Sequence, residues 1–294
     1  MNEDLRVVFE SANRRSCSDR ALVLTSLQIP YTLVDDANTC ALLVPVQFSA
    51  RAADELRLYD EENPPVFATP VQKIENYDPL PGLVGYVLVV CLVAGMAGFS
   101  FFDTNWLVAG RVDGELIRNG ELWRLFTALT LHSGIKHLLG NLVFGVFFGL
   151  FAGRLLGSGV GWLAIVVAAA VANGINAMLL DPGHRAIGAS TAVFAALGIV
   201  AGYVWQGQHM AQGRWSTRYG PIVGGLALLM FTGTGGPNTD VGAHLLGFVC
   251  GFGSGMLLTR ASPILSNRKI QLQSGMLAIA LISVSWIVAL IVRL

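Results

Sequence analysis

The chain has 294 residues, 53% of them hydrophobic and 13% charged, with a mean hydropathy of +0.59. That apolar content exceeds the roughly 45–50% of soluble domains and predicts a membrane protein. Its 19 basic residues equal its 19 acidic ones, so no basic surplus points to nucleic acid and no acidic tail is present. Met1 to Arg6 lead into polar sequence without an apolar signal core, so a cleaved secretory peptide is not expected. Cys17 and Cys40 lie in polar sequence, Cys91 and Cys250 in apolar runs, and no CxxC spacing occurs; all four are expected as free thiols, with no metal.

Residues 1–65 read as a small α+β module of order βαββα. Leu5 to Phe9 is strand-like, Ser16 to Leu27 has helical spacing and Pro30 stops it. Tyr31 to Val34 and Cys40 to Val46 are β-rich, and Ser49 is placed to cap a helix through Leu56 and Leu58. The module holds no nucleophile, ligand cluster or glycine-rich phosphate loop, which favours a regulatory or partner-binding role. A proline-punctuated linker from Asn63 to Gly82 follows.

A helix crossing a bilayer takes about 20 apolar residues. Spans are expected over Leu83–Phe102, Leu138–Ala152 with its Ile135 end, Trp162–Leu180, Ile187–Trp205, Val241–Thr259 and Ser274–Val292. A short, glycine-bearing fifth span over Pro221–Phe231 brings the count to seven. Arg154, Arg214, Arg218, Arg260, Arg268 and Lys269 fall on the side of the N-terminal module, whereas the opposite short loops hold Arg185 only. The long first loop, with Arg111, Arg118, Arg124 and Lys136, weakens the contrast. The positive-inside rule then puts the module in the cytoplasm.

On that count the second, fourth and sixth spans run inward from the outer face, so their first turns share one depth. His137 and Asn141 open the second, Ser190 the fourth and His244 the sixth. A lone membrane serine is ordinarily a packing residue. Polar side chains from three helices at one depth instead indicate a functional site. Gly247, Gly251 and Gly255 share the helical face of His244 and let another backbone approach; Ser190, Phe194, Leu197, Gly198 and Gly202 line one face of the fourth span. A serine needs a base to take its proton, and His244 supplies an imidazole. His137 and Asn141, four apart, can present N–H donors to a developing oxyanion, as can the backbone amide of Ser190.

These residues resemble the rhomboid family of intramembrane serine proteases. The resemblance rests on Trp123-Arg124, on His132 with His137 and Asn141, on Gly188-Ala189-Ser190, and on Ala243-His244 followed by Gly247 and Gly251. It implies a Ser190–His244 dyad without a third acidic member, and His137, Asn141 and backbone amides, including that of Ser190, as oxyanion stabilisers. Arg124, with Trp123, and His132 would anchor a first loop lying partly in the membrane; Gly188, Ala189, Phe194 and Gly247 would support substrate binding and packing. The implied fold is an all-α polytopic membrane protein: a six-helix rhomboid-like bundle over 83–259, joined to the 1–65 module by a linker over 66–82. A loop and seventh helix follow over 260–294. Implied too are cleavage of transmembrane protein substrates within the lipid bilayer of a bacterial inner membrane, no cofactor, and a cytoplasmic partner for the module. The fifth span and the loop from Thr232 to Asp240 resemble the family's gate and cap.

Three positions depart from the family pattern. Thr191 replaces a glycine after the nucleophile, Phe194 a tyrosine under the histidine, and Gly153 a glutamate that ties the first loop to the second helix. Among other classes, HExxH is absent, and Asp103, Asp181 and Asp240 lie in loops, so zinc and aspartyl proteases are disfavoured. A transporter would place its polar residues near the midplane, with an inverted repeat. An inactive rhomboid-like escort protein is the nearest alternative, although such proteins generally lack the serine or histidine that this chain carries.

Overall fold

The computed structural model describes residues 4–36, 39–63, 76–210, 219–220, 222–227, 230 and 239–293. It divides into two compact units, Met1–Ala68 and Thr69–Leu294.

In the first unit, β1 (Leu5–Ser11), α1 (Arg14–Ser26), β2 (Thr32–Asp35), β3 (Cys40–Pro45) and α2 (Ser49–Glu62) follow the expected order. The sheet is antiparallel, with β3 between β1 and β2. Leu42 and Val44 of β3, Leu24 of α1 and Leu56 of α2 form its core. Ser49 is the first helical residue rather than the cap, and its hydroxyl donates to the carbonyl of Val46. One expectation is corrected here: Cys17 and Cys40 are joined in a disulfide, while Cys91 and Cys250 are free. Both partners are buried where α1 packs on β3, a proximity that the sequence spacing does not disclose.

The second unit contains α3 (Leu80–Gly98), α7 (Ile135–Leu156), α8 (Ser158–Leu179), α9 (Ser190–Met210), α10 (Val241–Thr259) and α11 (Arg268–Arg293). Between α3 and α7 lie the short elements α4 (Trp106–Gly110), β4 (Val112–Asp113), α5 (Gly114–Arg118) and α6 (Arg124–Thr127); β5 (Arg185–Ala186) precedes α9. Among the described residues six helices are long and apolar enough to cross a membrane. The expected fifth span, Pro221–Phe231, lies largely outside the described residues, as does most of the Thr232–Asp240 loop; residues 222–227 are helical. The first span starts at Leu80, not Leu83, because Pro81 sits in the first turn, where its missing N–H costs nothing. Residues 64–75 of the expected linker lie outside the described residues.

Large apolar side chains such as Leu88, Leu92, Val143, Val249 and Ile291 are more than half exposed, as a lipid-facing surface requires. The centre is α9, with 61% of its span buried against 17% for α3. The seventh expected helix, α11, is fastened to the bundle at both ends. The Gln271 amide accepts from Gly159 N–H and Val160 N–H at 2.9 and 3.1 Å, closing the start of α8, and donates to the carbonyl of Leu156 at 2.8 Å. Near its other end, Trp286 Nε1 donates to Thr130 Oγ1 at 3.0 Å.

The first loop is clipped to the segment before α9 by the antiparallel pairing of β4 with β5. Asp113, 4% exposed, accepts from Arg185 Nε at 3.1 Å and caps α5 through the Leu116 N–H. Burial works to raise its carboxyl, but the bonds from Arg185 and Leu116 and the charges of Arg185 and Arg111 hold it below the usual 3.8. A depressed carboxyl stabilises above its unfolded value and loses that contribution only as pH falls through the lower folded one. Asp113→Asn is therefore expected to cost about 1–3 kcal/mol at pH 7. In thermal melts the gap to wild type should hold from pH 8 to 5 and narrow below pH 3.8; a gap that widens on acidification would contradict this.

Candidate active site

The helices α7, α9 and α10 each present a polar side chain from the first turns. His137 and Asn141 of α7, Ser190 of α9 and His244 of α10 all line one cavity of about 1050 Å³. Glycines explain how α9 and α10 come so close. A Cβ on Gly247 would lie 2.6 Å from the carbonyl oxygen of Thr191, and one on Gly251 or Gly255 would overlap the carbonyl of Ala195 or Ile199. From the other side Gly198 and Gly202 admit the backbone of Phe248 and Phe252. This two-sided small-residue seam holds the backbones in direct contact.

Ser190 is the first residue of α9, three residues later than the apolar run suggests. The helix cannot start at Ile187 because Arg185–Ala186 pairs with β4 and Gly188 adopts φ +136°, a left-handed backbone that favours glycine. The first helical bond runs from Val193 N–H to the Ala189 carbonyl, so the Ser190 amide lies ahead of the ladder, at the positive end of the helix. Ala189 is fully buried beneath it.

His137 approaches from α7. A Cβ on Gly188 would lie 2.8 Å from His137 Nε2 and 3.4 Å from Ser190 Oγ, so only glycine leaves that ring and hydroxyl side by side. On its other edge His137 Nδ1 faces Ser133, with Oγ at 3.2 Å and the backbone N–H at 3.5 Å. A backbone N–H only donates, so Nδ1 is the acceptor and the proton of the neutral ring sits on Nε2, toward Ser190. Asn141 is 7% exposed, and its buried Nδ2 has no hydrogen-bond partner among the described residues. Its backbone carbonyl accepts from the Tyr86 hydroxyl at 2.7 Å. An unpaired buried donor facing a cavity is costly, and a developing anion would satisfy it.

Phe194 lies with its ring centroid 4.5 Å from that of His244, tilted by 39°, so the tyrosine replacement keeps the ring contact. Thr191 is buried, and its methyl would be 3.3 Å from a Cβ on Gly247; the added β-branch is accommodated because position 247 has none. Gly153 cannot carry a glutamate, since even a Cβ would come within 2.9 Å of Pro79. Within the first loop itself, Glu121 accepts from Arg124 Nε at 2.6 Å. Arg124 is fully buried and also donates to the carbonyls of Val108 and Arg111 at 3.0 and 2.9 Å, making it an anchor of the first loop. Trp123 packs beside it with Trp106 and Trp286. His132 stands edge-on to His137 at 5.1 Å; burial, reinforced by His137, pushes its imidazole down to about 4, leaving it neutral at pH 7.

Sequence reasoning missed Ser133, Glu121, His184 and Asn176. For Glu121 the signal was its (i, i+3) spacing to Arg124; for Ser133 it was the same four-residue spacing used for Asn141. His184 and Asn176, in contact with Asp240, left no such trace.

A profile of the Rhomboid domain matches residues 119–261, which hold every polar group lining this cavity except Arg111. Residues 119–261 belong to the rhomboid family. The chain is 35% identical over 185 residues to Rhomboid-like protease 2 of Toxoplasma gondii, covering 60% of this chain and 63% of that protein. It is 39% identical over 97 residues to Rhomboid protease GluP of Bacillus subtilis, covering 33% of this chain and 19% of the relative. Rhomboid-like protease 1 of Toxoplasma gondii is 32% identical over 180 residues, 60% of each chain. The match to each of these spans less than two thirds of the relative's length. The chain is a multi-pass membrane protein, and its first loop, glycine seam and cavity lie within or beside the matched region.

Proposed function

We propose that the chain is an intramembrane serine endopeptidase that cleaves peptide bonds in or next to the transmembrane segments of other proteins. The observation that carries this reading is the convergence of Ser190, His244, His137 and Asn141 on one cavity between three parallel helices.

His244 takes the proton of Ser190 as Oγ attacks the scissile carbonyl, forming the C–O bond of a tetrahedral intermediate. The oxyanion receives N–H groups from His137 Nε2, Asn141 Nδ2 and the Ser190 backbone. Collapse breaks the C–N bond, and protonated His244 gives its proton to the departing amine. Water, deprotonated in turn by His244, then hydrolyses the acyl-enzyme and regenerates Ser190. Phe194 keeps the imidazole from rotating away, and Gly188 leaves room for the His137 donor. No step needs a cofactor or an energy source.

The test is cleavage of a membrane-embedded substrate by reconstituted wild type, Ser190→Ala and His244→Ala, beside labelling by a fluorophosphonate. Equal cleavage by all three would exclude the dyad, and absence of both cleavage and labelling in wild type would favour a membrane-protein escort. Asn141→Ala is expected to lower kcat by about 10²–10³-fold with little change in KM, because the donor acts on charge that exists only in the transition state.

The domain limits, the cytoplasmic N-terminus and the bacterial inner membrane belong to the same proposal. The distribution of arginines supports the orientation. The Cys17–Cys40 disulfide weighs against it, since such bonds are rare in reducing compartments. The basic residues of several separate loops outweigh that one bond.

A further inference from the structure

Asp240 makes more bonds than a loop residue needs. Its Oδ1 accepts from the Ala243 N–H at 2.9 Å, capping α10, and its backbone carbonyl accepts from the His244 N–H at 3.1 Å. Its Oδ2 accepts from Asn176 Nδ2 at 2.9 Å, reaching from α8, and lies 2.7 Å from Nε2 of His184. Asn176 is 2% exposed, and a Cβ on Gly242 would come within 2.8 Å of its Oδ1, so the approach of α8 to this turn depends on a glycine. His184 ends the turn begun at Asp181, whose backbone is bonded to the first loop: Glu115 N–H donates to the Pro182 carbonyl and Gly114 N–H to that of His184. Six residues beyond His184 is Ser190. One carboxylate therefore joins the first turn of the helix carrying His244 to the strap leading into Ser190.

We propose that Asp240, gripped by His184 and Asn176, is a positioning residue that sets the alignment of His244 against Ser190; this rests on the protease reading above. The seam between α9 and α10 is mostly apolar packing between parallel backbones; its hydrogen bond among the described residues, from Thr259 Oγ1 to the Tyr203 carbonyl at 3.5 Å, lies at the end away from Ser190 and His244, so it gives little direction against sliding or rotation near them. The two bonds that reach the Asp240 carboxylate from outside α10, those of His184 and Asn176, supply that direction at the depth where the proton is transferred. A misplacement of about 1 Å is enough to slow a positioned reaction about 10²-fold.

The experiment uses the full chain in liposomes and reads kcat, KM and the fluorophosphonate labelling rate. His184→Ala and Asn176→Ala leave the cap of α10 intact; the partly exposed His184→Ala should keep its thermal midpoint, the buried Asn176→Ala should melt somewhat earlier, and each should lose about tenfold in kcat and in labelling, with KM little changed. Asp240→Ala, which also removes the cap, should lose at least as much and melt earlier. Because His184 and Asp240 act through one contact, the double variant should be no slower than Asp240→Ala, and His184→Gln, which retains an N–H donor, should recover part of the loss. Wild-type labelling rates in His184→Ala and Asn176→Ala, or multiplicative losses in the double variant, would overturn the clamp while leaving the protease reading intact. A wild type that neither cleaves nor labels would overturn both.

Discussion

Ser190→Ala and His244→Ala are each expected to bring cleavage down about 10⁴–10⁶-fold, and the double variant should be no slower than the worse single. Nucleophile and base act as one unit: without the imidazole the hydroxyl keeps its proton, and without the hydroxyl the imidazole has nothing to activate. Residual turnover, if measurable, would come from the N–H groups of His137, Asn141 and Ser190 acting on water. The ring of Phe194 and the packing of α9 on α10 remain in both variants, so folding should survive and the loss should appear in kcat. Substrate capture by Ser190→Ala should stay near the wild-type level. A His244→Ala variant that still labels at the wild-type rate would mean that another group activates the serine.

Gly251→Ala should also be damaging, although it touches no reacting atom. The added Cβ would overlap the carbonyl of Ala195, a backbone group that has no rotamer to escape into. The helices must part by on the order of 1 Å, for which we expect a loss of about 3 kcal/mol in stability and about 10²-fold in kcat. Gly253 is the control on the same helix, since a Cβ there meets nothing within 4 Å. Gly253→Ala should remain within about 1 kcal/mol of wild type. Similar melting curves and rates for the two variants would show that the seam does not set the site.

The six spans that fall among the described residues were legible because hydropathy and helical spacing are local. Val241–Thr259 was delimited residue for residue, and the convergence of His137, Asn141, Ser190 and His244 followed from counting helices. The start of α9 was misplaced because composition continues through Ile187, whereas the backbone there is taken up by pairing with β4. The pairing of Glu121 with Arg124 is a local (i, i+3) contact, whereas the reach of the same buried guanidinium to the carbonyls of Val108 and Arg111 is set by loop folding.

Composition and periodicity by themselves determined that this is a polytopic membrane protein and which helices carry its polar groups. Only the tertiary structure decided which glycines lie against which carbonyls, that His137 turns Nε2 toward Ser190, that Cys17 meets Cys40, and that Asp240 binds His184 and Asn176. The physical reason is range: burial is written along a helix every three to four residues, whereas a hydrogen bond between distant segments depends on loop paths that no local pattern encodes.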